Sequence, residues 1–127
     1  MIDYLVQNAW TASSKAALDI FPSALIIMCW FHVMFNVRKH KHLIPDGMYD
    51  SIVDDIHNLH YTRDELEFTT LKSRTLKKWK KNEVLLDFAE YFDVQWLKGT
   101  FINWQIFRTP AGTKIDYYFH YNLLIFA

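Results

Sequence analysis

The stretch LIIMCW, residues 25–30, constrains this chain more than any other. Six apolar residues in succession leave no polar face, so a strand formed there has to be covered on both sides, as in a parallel sheet flanked by helices. What precedes it fits that requirement. Residues 2–7 (IDYLVQ) read as a short strand, because Tyr4, Leu5 and Val6 are apolar and two of the three favour extended backbone. Thr11 can cap a helix over residues 12–20, whose alanine-rich sequence stops at Phe21-Pro22, since the residue before a proline is pushed out of helical geometry. Strand, helix and strand in that order imply a parallel pair joined by a crossover.

Beyond this unit the pattern turns helical. One helix is expected from Phe31 through His42, ended by the turn signal Pro45-Asp46-Gly47. Ile52, Val53, Ile56 and Leu59 mark a second; Thr62 to Glu65 reads as a capping box opening a third, which carries Leu66, Leu71 and Trp79. Asn82 can cap a last helix, with Val84, Leu85, Phe88, Tyr91, Phe92 and Trp96 on a wide apolar face. The tail GTKIDYYFHYNLLIFA, residues 112–127, stays open between strand and helix. It closes on an apolar run with no polar ending, so the chain end reads as truncated or divergent.

At 127 residues and 51% apolar content the chain is one domain at most, with an unusually aromatic supply (17%) for its core. Fourteen basic and fourteen acidic side chains cancel, so nucleic acid or an anionic membrane can be drawn only by a local patch. The single cysteine excludes an intrachain disulfide and points to the inside of a cell. MIDYLVQNAW carries an acid where a secretory leader carries basic residues. The longest apolar run, residues 24–35, is broken by His32 and falls short of the ~20 residues that span a bilayer, so no membrane segment is expected.

Three groups of residues could carry chemistry. Cys29-x-x-His32 offers two zinc-type ligands, whereas a structural site needs four and a catalytic one three; His40, His42, His57 and His60 are scattered, so the plainer reading is a buried thiol beside a hydrogen-bonded histidine. A cysteine-protease pair is no better, because nucleophile and base normally come from distant segments. KSRTLKKWKK, residues 72–81, puts Arg74, Lys77, Lys78 and Lys81 on one helical face with Trp79 turned largely away; that face could contact phosphates or simply be solvated. Asp50, Asp54 and Asp55 could mimic an acidic metal cluster, but acids near a helix start are expected from its dipole.

Three stretches together resemble one family, the Mutator-like element (MULE) transposases. YLVQNAWTASSKAALDIFPSALIIMCWFHVMFNVRKH resembles the part of their ribonuclease-H-like core in which a strand ends in a catalytic aspartate, a helix follows, and a second strand runs into a Cys-aromatic-aromatic-His corner. LLDFAEYFDVQWLKG resembles a helix of the family's helical insertion, and NWQIFRTPAG the segment leading to its final catalytic helix. The resemblance implies an α/β fold, mostly α in this chain. A partial ribonuclease-H-like core at residues 1–44 would precede an all-helical insertion at 45–112 and a divergent tail at 113–127. It also implies that Cys29 and His32 shape the corner beside the catalytic strand without having to hold zinc.

The family's chemistry is DNA strand transfer by phosphoryl transfer, with two magnesium ions held by three acids. This chain departs from that pattern. The first acid would lie upstream, the position of the second is Asn8, and no glutamate follows Gly112; Asp116 is the tail's one acid, while Asp3 and Asp19 sit at the wrong ends of their elements. The expectation is therefore a truncated, catalytically inactive MULE-type transposase fragment needing no cofactor, neither magnesium nor zinc. Residual DNA binding through Arg74, Lys77, Lys78 and Lys81 is expected, in the nucleus if the resemblance holds. The alternatives are a helical protein-interaction or self-associating module using aromatics such as Trp96 and Trp104, or a transposon remnant without function. Exposed strand edges and aromatic surface are expected in either case.

Overall fold

The structure is a computed structural model that describes residues 4–7, 11–109 and 123–126, with side chains described from 15 to 109. Strand β1 (Tyr4–Gln7), helix α1 (Thr11–Ile20) and strand β2 (Leu25–Met28) form the anticipated crossover unit. β1 and β2 pair in parallel, from Tyr4 opposite Leu25 to Gln7 opposite Met28. A third strand, β3 (Leu123–Phe126), pairs antiparallel with β1, which gives the order β2-β1-β3 and decides for strand at that part of the tail.

The apolar run that suggested β2 extends further than the strand does. Ile26, Ile27 and Met28 are buried, but Cys29 already stands at the N-cap of α2 (Trp30–Lys39), its carbonyl accepting the His32 and Val33 N–H groups at 3.1 Å each. Helix α2 stops at Lys39, three residues before the anticipated His42, and a separate 3₁₀ turn covers Lys41–Leu43. The turn at Pro45-Asp46-Gly47 is real, and Gly47 takes φ 84°, a conformation costly for residues with a Cβ.

The outer edge of β2, expected to be exposed, is partly covered by Asn103. The Met28 N–H donates to the Asn103 carbonyl at 2.8 Å, and the Asn103 side-chain amide donates to the Ile26 carbonyl at 3.0 Å. Arg108 then donates to the Asn103 side chain at 2.7 Å and to Glu65 at 2.6 Å, tying the edge to the helical region.

Most of the described chain is helical. Helix α3 (Tyr49–His60) buries Ile52, Ile56 and Leu59. Helix α4 (Glu65–Lys80) is capped by Asp64, which accepts from the Glu67 N–H at 2.8 Å; Thr62 instead donates its hydroxyl back to the Leu59 carbonyl. That register buries Phe68 and Trp79 and leaves Leu66 outside. Asn82 accepts from the Val84 N–H, but it heads a 3₁₀ turn (Glu83–Leu85) before α5 (Leu86–Phe92), so Val84 falls off the apolar face. Residues Asp93–Leu97 continue α5 as a π-helical turn.

One apolar cluster runs from Ala17 to Trp104 and draws on both sides of residue 44. Trp79, Trp96, Trp104, Phe88 and Phe92 are fully buried, each such ring worth roughly 1.5–3 kcal/mol of transfer from water. The indoles also satisfy their N–H groups, as burial demands: Trp79 donates to Asp55 at 2.8 Å, Trp96 to the Tyr91 hydroxyl at 3.0 Å, and Trp104 to the Trp96 carbonyl at 2.7 Å. Trp96 is thus a core residue, as its place on the apolar face implies, and so is Trp104; neither supplies the contact surface that the interaction-module alternative needs. Among the described residues no helix is long and apolar enough to cross a membrane.

Candidate functional site

The Cys29–His32 corner lies where β2 gives way to α2. Cys29 is buried, and the His32 ring is half-buried with its Nδ1 enclosed and without a hydrogen-bond partner. Burial holds the His32 pKa below the ordinary value, because a protonated ring there would be poorly solvated. The corner therefore presents a thiol and a neutral imidazole. Among the described residues, no three His, Cys, Asp or Glu side chains gather as a group that could hold a metal ion.

The remaining histidines are occupied with aromatic rings. His60 stacks on Trp30 at 3.9 Å with its Nδ1 2.8 Å from the Trp104 carbonyl, and His57 meets the edge of Trp30 at 5.3 Å. His40 stacks on Tyr91 at 3.8 Å, with His42 at 6.0 Å from it. Of the acids in α3, Asp50 and Asp54 are exposed. Asp55 accepts from both Lys78 and the Trp79 indole, so it positions α4 against α3.

Helix α4 carries the basic face at its C-terminal half, where cations complement the helix dipole. Arg74, Lys77 and Lys81 are exposed and make no ion pair among the described residues. Lys78 differs, because both carboxylate oxygens of Asp55 lie 2.9 Å from its ammonium group. The face keeps the other three cations and Lys80 beside them, with Trp79 turned inward. Nothing in the local sequence tells Lys78 from its neighbours; its partner sits 23 residues away.

Asn8, Asp3 and Asp116 lie outside the described residues, while Asp19 is exposed near the end of α1. No family model matches this chain, and no curated protein or solved structure matches it.

Proposed function

We propose that this chain represents part of a MULE-type transposase that binds DNA without cutting it. The parallel β1–α1–β2 unit running straight into the Cys29–His32 corner supports the family reading. So does the meeting of the three resembling stretches at one place: Asn103 on the edge of β2, and Trp104 stacked near Trp30 and donating its indole N–H to the Trp96 carbonyl.

The donor set does not fit two magnesium ions. An amide at Asn8 offers a neutral oxygen where the resemblance puts a carboxylate, and hard divalent cations bridging phosphate oxygens need anionic ligands. No cleavage step is assigned to the chain.

The observation that carries DNA binding is the unneutralised face of Arg74, Lys77 and Lys81 on a neutral protein. Such a face contacts phosphates and ignores sequence, so affinity falls steeply with salt. The test is Arg74→Glu combined with Lys77→Glu and Lys81→Glu, leaving Lys78 in place because reversing it would set two carboxylates together. Salt-sensitive binding to random-sequence DNA is expected for the native chain and not for the variant; equal affinities would sink the reading.

A further inference from the structure

Helix α4 carries more than cations on the side that faces solvent. Thr70 stands one turn before Arg74 and Ser73 one turn before Lys77, and all four are exposed. Together with Lys81 they recur at the intervals of three and four that put side chains on one helical face. The acids at the start of α4 are already engaged. Glu67 takes the Arg63 guanidinium at 3.0 Å, Glu65 takes Arg108 at 2.6 Å, and Asp64 accepts the Glu67 N–H as the helix cap. From Thr69 to Lys81 the sequence holds no acid. The hydroxyls on this face, by contrast, are not engaged. Thr62 and Thr109 donate theirs to backbone carbonyls, of Leu59 at 2.8 Å and Ile106 at 2.7 Å. Thr70 and Ser73 make no such bond among the described residues, so each keeps a donor for an outside acceptor.

We infer that Thr70 and Ser73 are phosphate-binding residues of the α4 face, donating hydrogen bonds to the same DNA backbone that Arg74, Lys77 and Lys81 attract. This rests on the DNA-binding reading above and divides the labour within it. The cations act over a Debye length of about 10 Å at 0.1 M salt, so they draw the helix to the backbone while tolerating displacement along it. A hydroxyl contributes only when its oxygen comes within about 3 Å of a phosphate oxygen, so it fixes where along the strand the helix settles. The rise from Thr70 to Lys81 is about 16 Å, long enough for the face to meet several phosphates of one strand.

The plainer role for both hydroxyls is to solvate an exposed helix face. Fluorescence anisotropy of the whole chain with a labelled random-sequence duplex, across a range of salt, separates the two. Thr70→Ala with Ser73→Ala is expected to weaken binding roughly tenfold and to leave the slope of log affinity against log salt unchanged, because a neutral contact releases no counterion. Lys77→Gln should instead flatten that slope by about 1. Alanine is the best helix former, so the alanine pair keeps α4 folded and a loss of binding is not a loss of structure. Thr70→Ser with Ser73→Thr retains both donors and should bind like the native chain. If the alanine pair binds like the native chain while the charge-reversed α4 variant does not, this inference falls and the DNA-binding reading stands. The inference also falls if the alanine pair flattens the slope, or if the exchanged pair binds as weakly as the alanine pair. If the native chain shows no salt-sensitive binding, both fall.

Discussion

In the helical region the rings that fill the core are near neighbours along the chain. Trp79 packs on Phe88 and Phe92 at 5.4 and 5.5 Å, and Trp96 reaches the Tyr91 hydroxyl five residues back. In the strand region the decisive bonds come from far away. β2 is held on one side by β1 and on the other by Asn103, 77 residues later. The helical region carries its own complement of partners, whereas the strand region borrows part of its support from the segment around residues 103–108. A substitution in that segment should therefore affect the two regions unequally, and such inequality is open to measurement.

Trp104 is where the regions share most, since it stacks near Trp30, meets Phe92 edge-on at 5.9 Å and donates to the Trp96 carbonyl. Trp104→Ala should cost about 3–5 kcal/mol in urea unfolding and loosen both regions together. A loss confined to one region would break the idea of a shared joint. Asn103→Ala should cost about 1–3 kcal/mol, because the Ile26 carbonyl loses its donor and Arg108 an acceptor. Amide exchange should then accelerate at Ile26–Met28 and stay slow through α4 and α5; uniform acceleration would contradict the comparison. Tyr91→Phe is the helical counterpart. It strands the buried Trp96 N–H and should cost about 1–2 kcal/mol, with β2 exchange unaffected.

The smallest effect concerns pH. Burial lowers the His32 pKa in the folded state, so the unfolded chain binds a proton there more readily. The stability this neutral ring permits is complete above the ordinary histidine value of 6.5 and declines as pH falls below it toward the lowered folded value. His32→Phe should flatten that portion of the stability profile. An unchanged acid-side decline would show that other groups set it.

The elements read best from sequence are those whose signals are local. Pro22 stops α1 and Gly47 turns the chain because each acts on its own backbone, and Ile52, Ile56 and Leu59 declare a helix face by spacing alone. The misreadings arise where two residues of one type compete. Thr62 and Asp64 can both cap, and the contest goes to Asp64 because the Thr62 hydroxyl bonds back to α3. Val84 lost its place on the apolar face when a 3₁₀ turn shifted the start of α5. Trp96 announced its burial by its place on the apolar face, whereas no local spacing placed Trp104, whose indole N–H finds its acceptor only in three dimensions. At the candidate site the basic stripe was legible from its helical spacing. The neutralisation of Lys78 by Asp55, 23 residues earlier, depends on tertiary packing and left no local trace.

The distance between Ile26 and Asn103 also bears on the order in which the molecule can assemble. A chain leaving the ribosome presents β2 well before Asn103, the residue 77 positions later that covers part of its outer edge, and domains tend to form as their parts emerge. Helices α3 to α5 can settle through nearby contacts in the meantime, as local pairings form fastest. Throughout that interval an apolar strand with open hydrogen-bonding groups remains available to any neighbouring chain. A period of vulnerability for this protein is thus its own synthesis: the outer edge of β2 waits for Asn103, and the other edge of β1 for β3, made later still.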